Sequence, residues 1–230
     1  MQAEEKYELL GKLSEDYIDC ERCGLCSPTG RERTNVVFGE GDPNASLLIV
    51  GEAPGEVEDF EGSPFMGASG EIFQSLLSSF SNRDEVFVTN VVACRPTEDS
   101  QPDRNRKPDK SEIAACRERL HKIIEIVDPY VILLLGNTAM KALTKESRSI
   151  TSIANDPSIP RLEVITDGQC MPVKRAAYAT FHPSYLLRHP STMEGKPLHK
   201  SYLAWSEAFK LADRFLEIHK GVQIPNRQGE

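Results

Sequence analysis

Four short apolar runs recur along the chain and set its predicted architecture. They cover residues 45–50, 85–92, 130–136 and 176–181. Each run is aliphatic or β-branched, nearly continuous in its apolar character, and of the length expected for a strand that is buried on both faces. Such runs are typical of the strands of a parallel sheet.

Segments with helical periodicity separate these runs. Apolar residues recur at helical spacing over 70–80, 111–127 and 200–220, and the second segment begins with the capping-box-like sequence D-K-S-E. A further helix is predicted after Asn137, whose side chain is expected to cap it. Because strands and helices alternate, right-handed crossovers predict a three-layer α/β/α sandwich with a central, mostly parallel four-stranded sheet.

The length of the chain favours one domain. With 230 residues, of which 39% are hydrophobic, we predict a single domain over 1–220 and a flexible C-terminal tail over 221–230. Residues 97–110 are polar and interrupted by proline, which predicts a mobile loop. No stretch approaches ~18 consecutive apolar residues, and the N-terminus lacks the pattern of a signal peptide, so a soluble cytoplasmic protein with no membrane contact is expected.

The net charge of −8 argues against a surface that wraps nucleic acid over its whole area, because phosphate neutralisation needs clustered cations. A local basic face remains compatible with this charge. One candidate is the segment 104–110, with two arginines and two lysines, and another runs from Arg188 to Lys200. The alternative, that both segments are simply solvated loops, is equally open at this point.

Unusual residues follow each of the four predicted strands. The sequence G-E-A-P-G at 51–55 follows the first strand, Asn90 ends the second, Gly136 and Asn137 end the third, and His182 ends the fourth. In open α/β sheets, ligands bind outside the carboxyl ends of the strands. We therefore expect these residues to meet in one crevice.

The loop after the first strand is rich in turn residues and acids. It lacks both G-x-x-x-x-G-K-[ST] and G-x-G-x-x-G, and its acids would repel a bare phosphate, so a neutral heterocycle with N–H donors suits it better. Phe65 is a candidate pocket wall, Asn90 can bind an amide-like edge, and His182, held before a proline, has a defined direction. Each has a purely structural alternative: the loop as a plain strand-to-helix turn, Phe65 as a hydrophobic anchor for the loop, Asn90 as a cap or turn residue, and His182 as a core or surface histidine.

The cysteines indicate a metal site. Because the chain is expected to be cytoplasmic, its cysteines are expected in a reducing compartment, where disulfides are rare. The sequence C-E-R-C-G-L-C contains C-x-x-C twice, and two more cysteines downstream can complete a four-ligand site. Spacing alone leaves zinc and [4Fe-4S] equally open. The six cysteines are Cys20, Cys23, Cys26, Cys94, Cys116 and Cys170.

Six blocks of the sequence, in order, resemble the family-four (iron–sulfur) uracil-DNA glycosylases. Any one block is weak, but all six in one order make a specific match over roughly residues 15 to 220. The blocks are C-E-R-C-G-L-C, V-V-F-G-E-G-D-P, V-G-E-A-P-G-E-V-E-D-F-E-G-S-P-F-M-G, T-N-V-V-A-C-R-P, E-I-A-A-C and F-H-P-S-Y-L-L-R.

The resemblance implies a [4Fe-4S] cofactor. Its ligands would be Cys20, Cys23, Cys94 and Cys116, which leaves Cys26 and Cys170 without an assigned role. The stretch between Cys94 and Cys116 is longer than the family pattern predicts, and so is the stretch after the histidine motif. Both departures leave the implied ligands intact and could alter contacts with DNA.

The resemblance also implies a reaction. Such enzymes extrude deoxyuridine from single- or double-stranded DNA, hydrolyse the N-glycosidic bond, release uracil and leave an abasic site for base excision repair. Because no lysine lies among the motifs, we expect a monofunctional, monomeric enzyme without a Schiff base. The implied uracil-binding residues are Gly51, Ala53 and Gly55 in the pocket wall, Phe65 stacked on the ring, Asn90 at its edge and Glu58 against carbon 5, where it would exclude the thymine methyl group.

Two side chains are implied in catalysis. His182 would donate a hydrogen bond to uracil O2, and Glu52 would orient the water and favour the cationic sugar, although better-known branches carry an aspartate at the position of Ala53. The alternatives are a same-fold glycosylase for another modified base and a non-catalytic iron–sulfur DNA-binding module. The implied DNA contacts are Ser184 and Arg188 on phosphates and either Leu186 or Leu187 as the wedge that fills the vacated stack.

Overall fold

The computed structural model describes residues 1–26, 34–81, 83–98, 101–166, 173–189 and 196–221. Cys170 and almost all of the predicted tail lie outside these ranges. Within them the chain forms eight α-helices and eight strands. In chain order these are α1 (Ala3–Ile18), β1 (Glu40–Gly41), β2 (Leu47–Gly51), α2 (Glu56–Glu61), α3 (Ala68–Leu77), β3 (Phe87–Asn90), β4 (Thr97–Glu98), β5 (Gln101–Asn105), α4 (Lys110–Val127), β6 (Val131–Leu135), α5 (Gly136–Leu143), α6 (Ile150–Ala154), β7 (Leu162–Thr166), β8 (Val173–Thr180), α7 (Pro183–Leu187) and α8 (Pro197–Gly221).

The central sheet has the order β1-β3-β2-β6-β8-β7. Its four inner strands are mutually parallel and are the four predicted runs, so the prediction of a mostly parallel α/β fold is confirmed. The predicted count of four strands is wrong, because β1 and β7 add antiparallel edges. β1 has only two residues, and β7 has just two buried residues, Val164 and Thr166, so neither has the continuously buried apolar run of an inner strand.

Two apolar layers cover the two faces of the sheet. Alternate side chains of β2 enter different layers: Leu48 and Val50 pack with α1, α4 and α5, whereas Leu47 and Ile49 pack with α3 and α8. This period-two alternation is what a strand buried on both faces requires. In the described ranges, no helix combines the length and apolarity needed to cross a bilayer.

Helix termini agree with the sequence in one case and differ in another. Asp109 caps α4 as predicted, since its carboxylate accepts hydrogen bonds from the backbone N–H of Ser111 and Glu112, and the Glu112 carboxylate accepts a hydrogen bond from the Asp109 N–H. Asn137 does not cap α5. The cap position is Leu135, and Asn137 Oδ1 instead accepts from the Ile150 N–H at 3.4 Å.

The prediction of a mobile loop over 97–110 is also corrected. Residues 97–98 and 101–105 pair as the strands β4 and β5, which form a hairpin, and Arg106 holds the end of this hairpin. The Arg106 guanidinium donates to both carboxylate oxygens of Glu112, at 2.6 and 2.9 Å, and to the Thr97 carbonyl at 2.9 Å. Arg106 is therefore used internally and is not a free cation for a phosphate.

Candidate active site

A cleft of about 340 Å³ lies at the carboxyl ends of the central strands. It brings together the ends of β2, β3 and β8, as predicted, whereas Gly136 and Asn137, which were expected to join them from the end of β6, are not among its lining residues. Gly51 lies beneath the cleft and is not part of its surface. The lining residues are Glu52, Ala53, Pro54, Gly55, Glu58, Phe65, Ser69, Asn90, Asn105, Arg106, Lys107, His182, Ser184 and Arg188.

Glu58 anchors the acidic loop from within. Its side chain is 7% exposed, and its two carboxylate oxygens accept hydrogen bonds from the backbone N–H groups of Gly55, Met66 and Gly67 at 2.8–2.9 Å. Hydrogen bonds to backbone amides satisfy a buried carboxylate without a cation. One acid in this loop therefore fixes the two ends of the loop around the cleft.

Phe65 forms part of the cleft and is held from below. Its ring stacks on Phe73, with ring centroids 4.3 Å apart and planes inclined by 12°. Its backbone has a φ of 55°, a conformation that costs free energy in a residue other than glycine. Gly70 makes this conformation possible, because a Cβ atom at Gly70 would lie 2.1 Å from the Phe65 carbonyl oxygen.

Asn90, the last residue of β3, presents an amide to the cleft. Only 2% of the residue is exposed, and its Oδ1 atom is buried without a hydrogen-bond partner among the described residues. A buried amide oxygen without a partner is costly and uncommon in a native protein. The site is thus suited to a ligand that brings an N–H donor.

His182 precedes α7 and caps its first turn. Nδ1 accepts a hydrogen bond from the Ser184 N–H at 3.2 Å, so the proton of the neutral ring is on Nε2. The Nε2 atom is buried, and no described residue pairs with it. Burial lowers the pKa of His182 to about 4, and the positive charge of Arg188 acts in the same direction. The cleft therefore contains a neutral N–H donor.

Five cysteines from three segments line a second pocket. Cys20, Cys23, Cys94 and Cys116, the predicted ligands, all border it, together with Cys26. Burial raises the pKa of the Cys94 thiol to about 12, and negative charge on Cys116 adds to this effect. No three Cys, His, Asp or Glu side chains of the described ranges are grouped as the ligands of a single metal ion.

Comparison with known proteins identifies the family. The model of the uracil-DNA glycosylase superfamily matches residues 38–206. This chain belongs to that superfamily. A type-4 uracil-DNA glycosylase of Thermotoga maritima is 39% identical over 186 residues, or 80% of this chain and 86% of the relative. The type-4 enzyme of Sulfurisphaera tokodaii is 36% identical over 185 residues, or 79% and 77%. The resemblance to family four is confirmed.

In this glycosylase fold, the strand β6 lies between β2 and β8, so the residues that follow it separate Glu52 from His182. Gly136, with φ 91°, allows close approach, since a Cβ atom there would lie 3.1 Å from the His182 Cβ. The Thr138 hydroxyl donates a hydrogen bond to a Glu52 carboxylate oxygen. Sequence reasoning noted the end of this strand but assigned no role to Thr138.

The rim of the cleft corrects one predicted DNA contact. Ser184 and Arg188 line the cleft, and their contact with phosphate stays a prediction. Leu186 is only 1% exposed and packs in the apolar layer with α3 and α8, so its prediction as a wedge is wrong. Leu187 is 44% exposed and remains the candidate for that role.

The end of the β4–β5 hairpin contributes two cleft residues, of which Asn105 was not predicted and Lys107 belongs to the basic segment 104–110 noted as a candidate face. Asn105, the last residue of β5, and Lys107, two residues later, both line the cleft. Asn105 Oδ1 accepts a hydrogen bond from Nε of Arg95 at 2.7 Å, and Arg95 is itself only 2% exposed. The sequence shows the C-R-P block, but it does not indicate that the arginine of this block, Arg95, bonds to Asn105 ten positions later.

The protonation of His182 gives a first prediction. Its imidazole signals in an NMR titration should shift with a midpoint near pH 4, with the His182→Asn variant used for assignment. Because the pKa is lowered below the ordinary value of about 6.5, the unfolded chain binds this proton first. The contribution of His182 therefore reduces the free energy of unfolding as pH falls from about 6.5 to about 4. A midpoint near 6.5 would contradict the described environment.

Proposed function

We propose that this protein is a DNA repair glycosylase that receives a flipped deoxyuridine in the cleft, hydrolyses its N-glycosidic bond and leaves an abasic site. The observation that carries the proposal is the complementarity of three groups. Uracil presents an N–H between two carbonyl oxygens. Asn90 Oδ1, which has no partner among the described residues, can accept from that N–H, the neutral His182 Nε2–H can donate to O2, and Phe65 offers an aromatic plane for the ring.

Catalysis is assigned chiefly to His182. Breaking the bond places negative charge on uracil O2, and a fixed N–H donor in a site with little water stabilises that charge as it develops. Such a donor is commonly worth about 3–4 kcal/mol of transition-state stabilisation. The hydrogen bond from the Ser184 N–H to Nδ1 keeps the proton at Nε2, where this role needs it.

We assign two roles to Glu52: it orients the attacking water and stabilises the cationic sugar. Its carboxylate is placed on the cleft by the Thr138 hydroxyl, and a negative charge there favours the oxocarbenium-like sugar electrostatically. No lysine lies among the sequence motifs, but Lys107, from the segment 104–110, lines the cleft. The Lys107 side chain is exposed. A solvated ammonium is a poor nucleophile, so hydrolysis without strand cleavage remains the proposal.

Selection against thymine is assigned to Glu58. Its carboxylate is bound to three backbone N–H groups, so it cannot swing aside to admit a methyl group. A group that cannot move turns an added methyl into a clash, which gives steep discrimination. The other functions considered, a glycosylase for a different base and a non-catalytic module, have no observation in their favour.

A [4Fe-4S] cluster fits the cysteine pocket by the chemistry of its donors. Five cysteines border this pocket, and cysteine thiolates are the ligands that hold a [4Fe-4S] cluster. Cys20, Cys23, Cys94 and Cys116 would hold it. When bound, the cluster would tie α4 and the N-terminal segment to the end of β3 as a structural cross-link.

The ligand assignment yields a second prediction. The Cys116→Ala variant should lose the iron, the visible absorbance of the cluster and much of its thermal stability, because one of four ligands is removed. The matched control is Cys26→Ala. Cys26 borders the same pocket, but its thiol donates to the Cys23 carbonyl at 3.0 Å. If Cys26→Ala lost iron and Cys116→Ala kept it, the assignment would be wrong.

The function is tested with labelled oligonucleotides that carry uracil, thymine or hypoxanthine opposite each base, in single- and double-stranded form. Cluster-loaded protein should release free uracil, detected by mass spectrometry, and the strand should break only after alkali. Thymine strands should stay intact. Failure to act on uracil in both forms of DNA would refute the proposed function, and breakage without alkali would refute the monofunctional mechanism.

A further inference from the structure

Arg119 is a fully buried cation that no carboxylate contacts within the described part of the chain. It lies in α4 and is 0% exposed. Its guanidinium donates to the carbonyl oxygens of Phe38 (2.9 Å), Asn90 (2.5 Å) and Val91 (3.3 Å) and to the Thr89 hydroxyl (3.1 Å). Buried charges are usually paired with an opposite charge. An arginine held only by neutral acceptors requires an explanation.

The acceptors of Arg119 are concentrated at the end of β3, where Asn90 enters the cleft. The peptide unit between Asn90 and Val91 is held on both sides: its carbonyl accepts from Arg119, and its N–H donates to the Gly51 carbonyl at 3.0 Å. The next unit is held in the same way, since its carbonyl accepts from Arg119 and its N–H, from Val92, donates to the Glu52 carbonyl at 3.2 Å.

These paired hydrogen bonds fix the backbone torsions that aim the Asn90 side chain. A peptide plane that is bonded at both its N–H and its C=O cannot rotate without losing one of the two bonds. The backbone on the far side of Asn90 is already held by strand pairing with β2. Arg119 therefore supplies the hydrogen bonds that the sheet cannot supply, because the strand ends there.

We propose that Arg119 is a positioning residue for base recognition, which acts by holding the carbonyls of Asn90 and Val91 so that the Asn90 amide faces the cleft. A lysine could keep the charge but lacks the planar fork that bonds several acceptors at once. The inference rests on the proposed function, since the base it concerns is uracil.

The helix α4 also connects Arg119, and through it the end of β3, to the cysteine pocket. Cys116 lies three residues before Arg119 in α4, and its sulfur accepts a hydrogen bond from the Ala93 N–H at 3.4 Å. The segment from Asn90 to Cys94 is thus attached to α4 at two points, Arg119 and Cys116. Displacement of α4 would move the residue that contacts the base.

The test measures inhibition by free uracil, which occupies the pocket without any DNA contact. Arg119→Lys should raise the inhibition constant of uracil about tenfold, an effect of the size expected when a positioning residue is lost. Combined with Asn90→Ala, it should add little further, because Arg119 acts through Asn90. Arg148→Lys, a surface arginine paired with Glu146 and Asp156, is the control and should change nothing.

Iron content and thermal unfolding are recorded for each variant, and Arg119→Gln, which keeps a planar donor, replaces Arg119→Lys if the latter does not fold. An unchanged inhibition constant, or an effect that adds fully to that of Asn90→Ala, would overturn the proposal. If the wild type releases no uracil, the proposed function fails separately. In that case hydrogen exchange decides: faster exchange of the Val91 and Val92 amides in the variant supports Arg119 as their positioner, and unchanged exchange refutes it.

Discussion

Replacement of His182 by alanine is expected to slow uracil release from DNA by about 10²–10³-fold, which corresponds to the loss of one preorganised donor to a developing oxyanion. The donor is the buried Nε2–H, which no other described residue uses. Because the ring acts on the leaving group in the transition state, the loss should fall on kcat. Single-turnover kinetics on a uracil-containing oligonucleotide give the rate directly.

The affinity of the His182→Ala variant for DNA should stay close to normal, since the predicted phosphate contacts at the rim are unchanged. His199→Ala is the matched control, because His199 lines a separate groove between α3 and α8. A variant in which DNA affinity and turnover fell by the same factor would show that His182 serves binding and would contradict the assigned role.

Replacement of Gly51 by alanine, which adds one methyl group, is expected to impair the action on uracil almost as severely as the loss of the His182 side chain. A Cβ atom there would lie 2.3 Å from Asn90 Oδ1 and 2.6 Å from Phe65 Cζ. Both are ends of side chains, so they can shift at a cost of about 1–3 kcal/mol in stability. The same shift displaces the two groups assigned to the base, and a displacement of about 1 Å can cost 10²-fold in rate.

The Gly51→Ala variant should therefore fold, retain its iron and lose about 10²-fold in kcat/KM on uracil-containing DNA. The control is Gly11→Ala in α1, where an added Cβ meets nothing within 4 Å and should leave activity unchanged. Full activity in Gly51→Ala would mean that Asn90 and Phe65 do not act on the base.

The sequence predicted the features that depend on local pattern. The four inner strands have continuous apolar runs because both faces are buried, and their parallel order places Glu52, Asn90 and His182 at one edge of the sheet. The edge strand β7 was missed because only one of its faces is buried. The helix α1 was missed because just three of its sixteen residues, Leu10, Leu13 and Tyr17, are buried.

The parts of the site that the sequence could not predict depend on contacts between distant residues. Arg119 bonds to residues about thirty positions earlier, and Thr138 bonds to Glu52 across 86 positions. Neither pairing leaves a periodic signal in the chain. The hairpin that brings Asn105 to the cleft is composed of polar residues and proline, and its order comes from the buried Arg95 and the Arg106–Glu112 pair.

The most direct test of the account is a crystal structure of the cluster-loaded protein with free uracil bound. We expect the ring to stack on Phe65, its N3–H to donate to Asn90 Oδ1, and O2 to lie within hydrogen-bond distance of His182 Nε2. Uracil bound at another surface, or a ring in the cleft that contacts neither Asn90 nor His182, would contradict it.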